Sequence, residues 1–264
     1  MIEPGSIAVA IATVVAACLG VALFSARRRA RRSERLLQVR TAALEQLQVQ
    51  FTRFAHEEVV ERLTGDAALY TPERRHVAVL FADLRGFTAM CEALDPMTTV
   101  VILNGYFQQM SEAIARHHGA ITELIGDGLL ALFGALEPNP WQARDAVMAG
   151  LDMRAELARY NARLCAQALP ELRFGVGIHC GDAVAGVIGT AELKKFSIVG
   201  DTINLASRVE GLTREHQVDL LITEAIRSKL DGRFRLRTMP PKAVKGKSEP
   251  LVTYHVEGLE GGAA

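Results

Sequence analysis

The hydrophobic pattern divides the chain into three regions. Residues 6–24 form an apolar run without a charged side chain, and residues 33–63 contain neither Gly nor Pro. From about residue 70 onwards, short apolar runs alternate with longer amphipathic segments. Short apolar runs bounded by Gly or Asp are typical of strands, and longer amphipathic stretches are typical of helices. The third region therefore predicts a globular domain that mixes strands and helices.

The first region has the length of a membrane span. As a helix, residues 6–24 would extend about 28 Å, which is enough to cross the hydrocarbon core of a bilayer. The cluster RRRARR at 27–32 follows the run, and positive charges of this kind stay on the cytoplasmic side. A cleaved signal peptide is the alternative, but its charges would precede the apolar run. We expect residues 1–26 to be a single-pass anchor in the inner (cell) membrane, with everything that follows in the cytoplasm.

The second region, residues 27–68, combines the basic juxtamembrane cluster with a predicted helix. Leu37, Leu44 and Phe51 recur every seven residues, which suits a short parallel coiled coil over residues 37–54. An ordinary amphipathic helix that packs on the domain would show a similar pattern over so few heptads. The sequence leaves both alternatives open.

The third region, residues 70–257, reads as an ordered series of elements, with a flexible tail predicted over 258–264. The pattern predicts a strand at 75–83, a helix at 96–118, a hairpin at 121–134, a helix at 140–168, two strands separated by a turn within 172–189, a charged loop at Lys194 and Lys195, a helix at 201–216, and strands at 218–223, 234–240 and 251–258. A strand–helix–hairpin–helix–strand order with appended strands predicts an α+β domain of the ferredoxin-like (split βαβ) type, with an antiparallel or mixed sheet flanked by helices.

The charge balance argues against nucleic-acid binding, and the cysteine spacing argues against a cysteine-based metal site or a disulfide framework. The 264 residues carry 30 basic and 30 acidic side chains, so the formal net charge is zero. A chain without a basic excess lacks the electrostatic footprint of nucleic-acid binding, and we expect no nucleic-acid partner. The cysteines lie far apart in the sequence and show neither a metal-binding nor a disulfide pattern; they are Cys18, Cys91, Cys165 and Cys180.

Two acidic residues interrupt apolar segments in a way that suggests a metal site. Asp127 lies in the Gly-Asp-Gly centre of the predicted hairpin, and Asp83 ends the predicted strand at 75–83. Taken alone, Asp127 would be an ordinary turn residue, since Gly supplies the positive φ that a hairpin needs. In a split βαβ core, however, the first strand neighbours the central hairpin. Adjacent carboxylates repel unless a cation lies between them, and Mg²⁺ prefers carboxylates together with phosphate oxygens.

A second pair of polar residues lies on the helix predicted at 201–216. Asn204 and Arg208 are four residues apart and hence share one helix face. Arg presents a planar fork of donors that suits phosphate, and an amide side chain can bind a sugar hydroxyl. The alternative is a solvated helix face on which Arg208 pairs with Glu210 or Glu215.

Three segments together resemble the signature motifs of the class III nucleotidyl (adenylate/guanylate) cyclases of the bacterial type. They are FADLRGFT at 81–88, IGDGLLALFG at 125–134 and IVGDTINLASRVEG at 198–211. The resemblance covers residues 70–257. It implies that Asp83, Asp127 and the backbone carbonyl of Leu84 hold two Mg²⁺ or Mn²⁺ ions per site. It also implies conversion of ATP or GTP to a 3′,5′-cyclic nucleotide and pyrophosphate.

The same resemblance implies roles for residues that contact the substrate. Asn204 would orient the ribose, Arg208 would neutralise charge on the phosphate that forms the ring, and Lys245 would contact the terminal phosphates. Members of this family work as head-to-tail dimers in which one chain supplies the carboxylates and the other supplies the Asn and Arg. Since this chain carries both sets, a homodimer with two equivalent sites is expected.

Glu123 and Ser197 occupy the positions that select the base in this family. Glu123 replaces the usual Lys of adenylate cyclases, and an ionised carboxylate only accepts hydrogen bonds. It can therefore accept from N1 and N2 of guanine, which tilts the expected substrate towards GTP. Ser197 donates and accepts, so it serves either base. Alternatively, Glu123 is a solvent-facing residue of an edge strand and ATP is used through a rearranged pocket.

Two other functional classes remain as alternatives to an active cyclase. A catalytically degenerate cyclase domain could act as a nucleotide-binding or dimerisation module, although Asp83, Asp127, Asn204 and Arg208 are all present. A polymerase-like transferase would use a similar metal site, but the neutral chain offers no basic groove for a template.

Overall fold

The computed structural model of the protein describes residues 72–189 and 194–261. The predicted anchor at 1–26, the linker at 27–68 and the last three residues of the predicted tail lie outside these ranges. Within the described ranges, every helix is too short or too polar to cross a membrane.

The described residues form an eight-stranded sheet and five helices. The strands are β1 (Glu73–Leu84), β2 (Ala120–Ile125), β3 (Gly128–Phe133), β4 (Phe174–Gly189), β5 (Lys194–Val199), β6 (Leu220–Thr223), β7 (Phe234–Thr238) and β8 (Thr253–Leu259). The helices are α1 (Phe87–Ala93), α2 (Pro96–Ala115), α3 (Gln142–Ala166), α4 (Asp201–His216) and α5 (Glu224–Arg227).

The sheet is mixed, and β1 lies near its centre. The strand order is β2-β3-β1-β4-β6-β8-β7, with β5 paired to the far part of β4. β1 pairs antiparallel with both β3 and β4, whereas β4 and β6 run parallel. This arrangement confirms the predicted α+β domain with a mixed sheet flanked by helices.

The alternation of side chains along β1 separates two packed layers. Ala78, Leu80 and Ala82 point to one face, where α2 and α3 complete the main hydrophobic core. Val77 and Val79 point to the other face, where they join a second apolar cluster that includes residues of β3, β4 and α4. Because side chains of a strand alternate between faces, Asp83 shares the second face, which we call the α4 face.

Local capping explains where α2 begins. Asp95 precedes the helix in an extended conformation, and its carboxylate accepts a hydrogen bond from the backbone N–H of Thr98 at 3.1 Å. Pro96 occupies the first helical position, where its missing N–H costs nothing. The start of α2 therefore matches the predicted boundary.

Helix α4 lies unusually close to β4 because glycines line the contact. A Cβ atom at Gly177 would lie 2.6 Å from Cα of Glu210 and 2.7 Å from the carbonyl oxygen of Ala206. A Cβ atom at Gly175 would lie 2.6 Å from Oε1 of Glu210. Only residues without a side chain allow this approach, so the glycines of β4 position the helix that carries Asn204 and Arg208.

Three of the differences from the sequence-based expectation concern the sheet. Residues 174–189 form one continuous strand instead of two, because Gly181 stays extended and pairs with Val77 of β1. Lys194 and Lys195 belong to strand β5, not to a loop, since residues 194–199 pair with β4. Strand β8 runs to Leu259, two residues into the predicted tail, because its end pairs with β7.

Substitution of Gly177 tests the close helix–strand contact. Gly177→Ala forces α4 away from β4, and overpacking of this kind should lower the free energy of unfolding by about 1–3 kcal/mol. Gly211→Ala is the matched control, because Gly211 lies on α4 itself with open space around it. Replacing a helical Gly by Ala should raise the free energy of unfolding by up to about 1 kcal/mol. Urea unfolding of both variants gives the comparison; equal stability of Gly177→Ala and the original protein would contradict the packing described.

Candidate active site

The register between β1 and β3 brings Asp83 and Asp127 together. Ala82 pairs with Leu129, so Asp83 lies directly beside Gly128, the residue after Asp127. A Cβ atom at Gly128 would lie 3.0 Å from Oδ1 of Asp83, which shows that the carboxylate leans over this glycine. The two aspartates therefore meet where β1 ends and the β2–β3 hairpin turns.

The hairpin loop has two residues, Gly126 and Asp127. The positive φ lies at Gly126 (62°), not at the glycine that follows Asp127. Gly at the first loop position is a recognised requirement of one two-residue hairpin type. Gly128 instead belongs to β3, where its missing side chain makes room for Asp83.

The electrostatics of this corner disfavour two bare carboxylates. Burial and the neighbouring charge of Asp127 raise the pKa of Asp83, while Arg214 and a hydrogen bond from the backbone N–H of Leu84 act in the opposite direction. A carboxylate whose pKa is raised by a like charge is stabilised when a cation binds between the two. The corner is therefore suited to bind positive charge.

Glu210 adds a third carboxylate that the sequence analysis considered only as a partner of Arg208. It projects from α4 over Gly175, the residue of β4 that pairs with Asp83. Burial and the charge of Asp83 raise its pKa to about 7, opposed by Arg214 and Arg85. Two residues along a helix turn a side chain by about 200°, so Glu210 faces the sheet when Arg208 faces outward.

Tyr106 of α2 lies beneath the same acids. Its side chain is fully buried, and its hydroxyl has no hydrogen-bond partner among the described residues. Burial, followed by the charges of Asp83 and Asp127, raises its pKa. The hydroxyl therefore stays neutral, in the core on the face of the sheet opposite to Asp83.

The donor set at this corner fits a hard divalent cation. Asp83 and Asp127 offer carboxylate oxygens, and Leu84, whose side chain is buried in the core, can contribute only its backbone. Across residues 72–189 and 194–261, no three His, Cys, Asp or Glu side chains converge in a metal-binding geometry. Two carboxylates with positions left for phosphate and water are the arrangement that Mg²⁺ commonly uses.

Asn204 and Arg208 form a second group on α4. Both lie on the side of the helix that does not pack on the sheet, with Asn204 exposed and Arg208 half-buried. Nη1 of Arg208 lies 3.9 Å from Oδ1 of Asp201. This nitrogen is buried and finds no hydrogen-bond partner in the described part of the chain. A buried donor without a partner is costly, so the guanidinium is prepared for an anionic ligand. The predicted alternative pairing with Glu210 or Glu215 is not found in that part of the chain.

The loop that carries Lys245 stands beside Arg208. Nζ of Lys247 lies 2.8 Å from Oδ2 of Asp201, at the start of α4. Gly246, with a φ of 80°, lies so close that a Cβ atom there would be 3.4 Å from Nη1 of Arg208. Lys245 is exposed next to this contact. The structure thus brings Asn204, Arg208 and Lys245 into one region.

A family model for the adenylate and guanylate cyclase catalytic domain matches residues 69–258. The chain belongs to this family. Adenylate cyclase 1 of Rhizobium meliloti (strain 1021) is 32% identical over 186 residues, covering 70% of this chain and 28% of that protein. The adenylate cyclase of Anabaena cylindrica is 35% identical over 190 residues, covering 69% of this chain and 37% of that protein. The chain therefore spans well under half the length of these relatives.

The crystal structure of the guanylyl cyclase Cya2 is also similar. It superposes with a TM-score of 0.65 at 35% sequence identity, covering 71% of this chain and 94% of that chain. These matches confirm the prediction that the chain contains a class III cyclase catalytic domain.

Ser197 of the cyclase domain lies far from the carboxylates of its own chain. It pairs with Gly186 of β4, whereas Asp83 pairs with Gly175 of the same strand. Positions 175 and 186 are eleven residues apart, which is about 36 Å along a strand. Ser197 and Asp83 of one chain therefore cannot contact the same small molecule.

Glu123 lies closer to the carboxylate corner. It pairs with Leu130, which in turn pairs with Phe81, two residues before Asp83 on β1. A register shift precedes Glu123 on β2. This row of residues lies on the α4 face, and Glu123 is half-buried. Because β2 is an edge strand of the sheet and Glu123 keeps part of its surface exposed, the solvent-facing alternative stays open.

The raised pKa of Glu210 gives a testable pH dependence. Its folded pKa of about 7 exceeds the ordinary value of 4.5, so ionisation is harder in the folded protein and stability is lost as pH rises between these values. Glu210→Gln should raise the free energy of unfolding at pH 8 by about 1–2 kcal/mol, after allowance for solvent screening, and change it little at pH 5.

Thermal melts in EDTA at both pH values make this measurement without interference from bound metal. Glu215→Gln is the control, because Glu215 lies on the outer side of α4 and pairs with Lys242 at 3.0 Å. An equal gain at pH 5 and pH 8 for Glu210→Gln would show that the pKa of Glu210 is not raised in the folded protein.

Proposed function

We propose that the protein is a purine nucleotide cyclase that converts ATP or GTP to a 3′,5′-cyclic nucleotide and pyrophosphate. The observation that carries this proposal is the meeting of Asp83 and Asp127 at the edge of a cyclase-family domain that also keeps Asn204 and Arg208. Relatives named as adenylate cyclases and the structure of a guanylyl cyclase support the reaction class.

In this proposal, Asp83, Asp127 and the backbone carbonyl of Leu84 hold two Mg²⁺ or Mn²⁺ ions. The ions would supply activation of the ribose 3′-hydroxyl and neutralisation of phosphate charge. The chain's own contribution is largely positioning, as in other phosphoryl transfers. Gly128 leaves the space that the carboxylate of Asp83 needs.

Asn204, Arg208 and Lys245 would contact the nucleotide. The amide of Asn204 orients the ribose, so that the 3′-oxygen lies in line with the α-phosphate. Arg208 donates to the phosphate as the ring closes and pyrophosphate leaves. Its Nη1, which makes no hydrogen bond within residues 72–189 and 194–261, supports this role. Lys245 contacts the terminal phosphates from the adjacent loop.

We further propose that the active unit is a homodimer with two equivalent shared sites. Asn204 and Arg208 lie on the side of α4 turned away from the sheet that carries Asp83. Ser197 lies about 36 Å along β4 from the Asp83 position. A second chain in a head-to-tail arrangement would supply these residues to the carboxylates of the first.

Glu123 and Ser197 would select the purine. The carboxylate of Glu123 accepts hydrogen bonds and so favours guanine, whereas the hydroxyl of Ser197 serves either base. A mismatched buried acceptor costs about 1–3 kcal/mol, which corresponds to roughly a ten- to hundredfold preference. We therefore expect the protein to turn over both nucleotides, with GTP preferred over ATP.

Nucleotide turnover tests the proposed reaction. The purified protein, given Mg²⁺ or Mn²⁺ with ATP or GTP separately, should form cyclic nucleotide, and Asp83→Ala should abolish it. Arg208→Ala should lower kcat by about a hundredfold, because it removes a donor to charge that develops in the transition state. Arg235→Ala, an exposed arginine on β7, is the matched control and should leave activity unchanged.

The product decides between the remaining alternatives. Mainly cyclic GMP would support the proposed role of Glu123, and mainly cyclic AMP would contradict it. Nucleotide binding without any product would contradict the cyclase proposal and favour a degenerate binding or dimerisation module.

We also propose that residues 1–26 anchor the protein in the inner membrane, with the catalytic domain in the cytoplasm, and that residues 27–68 help to pair two chains. The uncharged run at 6–24 followed by the arginine cluster at 27–32 supports the anchor. Pairing near the membrane raises the local concentration of catalytic domains.

Deletion of residues 1–63 tests the anchor and the pairing together. The full chain should sediment with membranes, and the deleted protein should stay in the supernatant. Specific activity of the deleted protein should fall on dilution, because a weaker dimer dissociates, whereas that of the full chain should stay constant. Constant activity of the deleted protein across dilution would contradict the pairing role.

A further inference from the structure

Arg85 connects the metal-binding corner to helix α4. It follows Leu84 at the end of β1, and its backbone N–H donates to the carbonyl of Arg173 at 2.8 Å. Its side chain crosses to the far end of α4, where Nη2 donates to the carbonyl of Thr213 at 3.1 Å and to that of Val218. One residue therefore links the strand that carries Asp83 with the helix that carries Arg208.

The chemistry of a helix end explains why an arginine suits this position. The last carbonyl groups of a helix lack partners within the helix and carry partial negative charge. The guanidinium is always charged, and its Nη2 alone donates to both carbonyls. Burial lowers the pKa of the Arg85 guanidinium; Asp219 and Glu210 oppose this shift, and the nearby Arg214 and Arg173 add to it.

Helix α4 is held at its other end as well. The hydroxyl of Thr202 donates to the carbonyl of Asp182 at 2.7 Å, and Lys247 holds Asp201. Asn204 and Arg208 lie between these contacts and the Arg85 contact. A shift of the C-terminal end of α4 therefore changes the position of both residues.

We propose that Arg85 is a positioning residue that acts through α4 to set the position of Asn204 and Arg208. This inference rests on the proposed homodimer, in which α4 of one chain serves the carboxylates of its partner. The Arg85 of one chain then positions the Asn204 and Arg208 that act at one site, whereas the Asp83 of the same chain acts at the other site. The two sites of the dimer are linked, because each Arg85 joins the carboxylate corner of one site to the helix of the other.

The competing explanation is that Arg85 only holds the carboxylate corner of its own chain. The two explanations differ in which site is damaged when Arg85 is replaced. Mixed dimers separate them. A helix-donor chain carries Asp83→Ala and Asp127→Ala, and a metal-donor chain carries Asn204→Ala and Arg208→Ala. Each is inactive alone, and one intact site forms only when both chains pair.

Arg85→Gln is then placed in one chain at a time. In the helix donor it should lower kcat by about ten- to a hundredfold, since small misplacements of catalytic groups have effects of this size. The Mn²⁺ concentration at half-maximal activity should stay the same, because the carboxylates come from the other chain. Arg235→Gln in the helix donor is the control and should change neither value. Should Arg85→Gln prevent folding in a thermal melt, Arg85→Lys takes its place and should cause a smaller loss of kcat.

The inference would be overturned if Arg85→Gln or Arg85→Lys left kcat unchanged in the helix donor but lowered kcat in the metal donor. The original mixture without any change at Arg85 serves as the separate test of the proposed function. If that mixture stays inactive while the unmodified protein is active, the shared-site dimer is wrong and the inference falls with it. If the mixture is active and Arg85 has no effect in the helix donor, only the inference is wrong.

Discussion

The pairing register between β1 and β3 is the constraint on which the candidate site depends. It places Asp83 beside Gly128, and thus beside the hairpin loop that carries Asp127. A slip of one residue would turn Asp83 to the opposite face, beneath α2 and α3. Because β1 is hydrogen-bonded on both sides and its alternate residues enter two apolar clusters, such a slip would disrupt both cores. The register is therefore fixed by hydrophobic packing. Its consequence is that two carboxylates, those of Asp83 and Asp127, lie side by side.

The close contact of α4 with β4 is the second requirement. It brings Glu210 above the strand position that pairs with Asp83, and it brings the C-terminal end of α4 within reach of Arg85. Negative charge from Asp83, Asp127 and Glu210 is thus balanced in part by Arg85, which follows β1, and by Arg214 of α4. Burial, followed by the repulsion between these carboxylates, raises the pKa of Asp83 and of Glu210. The fold tolerates this cost at the place where the proposed reaction needs oxygen ligands.

The sequence predicted the parts of the site that depend on local pattern. Asp83 at the end of an apolar strand, Asp127 in a hairpin turn and the shared helix face of Asn204 and Arg208 all follow from periodicity and turn chemistry. The division of β4 into two strands was wrong, because Gly181 read as a turn signal although it pairs within the sheet. Lys194 and Lys195 read as a loop because their pairing with β4 has no local signature.

Contacts between distant elements could not be predicted from such patterns. The position of Glu210 over Gly175 depends on how closely α4 approaches the sheet, and a single sequence does not state that distance. Arg85 lies inside a recognised motif, yet its acceptors are backbone carbonyls more than a hundred residues away. Backbone acceptors leave no trace in residue identity, so this link becomes visible only in the folded chain.

The glycines of β4 also affect how the domain would come apart. Glycine in a strand contributes little to sheet stability, because it has no side chain to pack and loses much backbone freedom. Strand β4 therefore relies on α4 to cover it, and α4 in turn relies on the bare strand for its close contact. The two elements should behave as one cooperative unit of partial unfolding. Any opening that separates them would expose the sheet beside Asp83 and release Arg208 at the same moment.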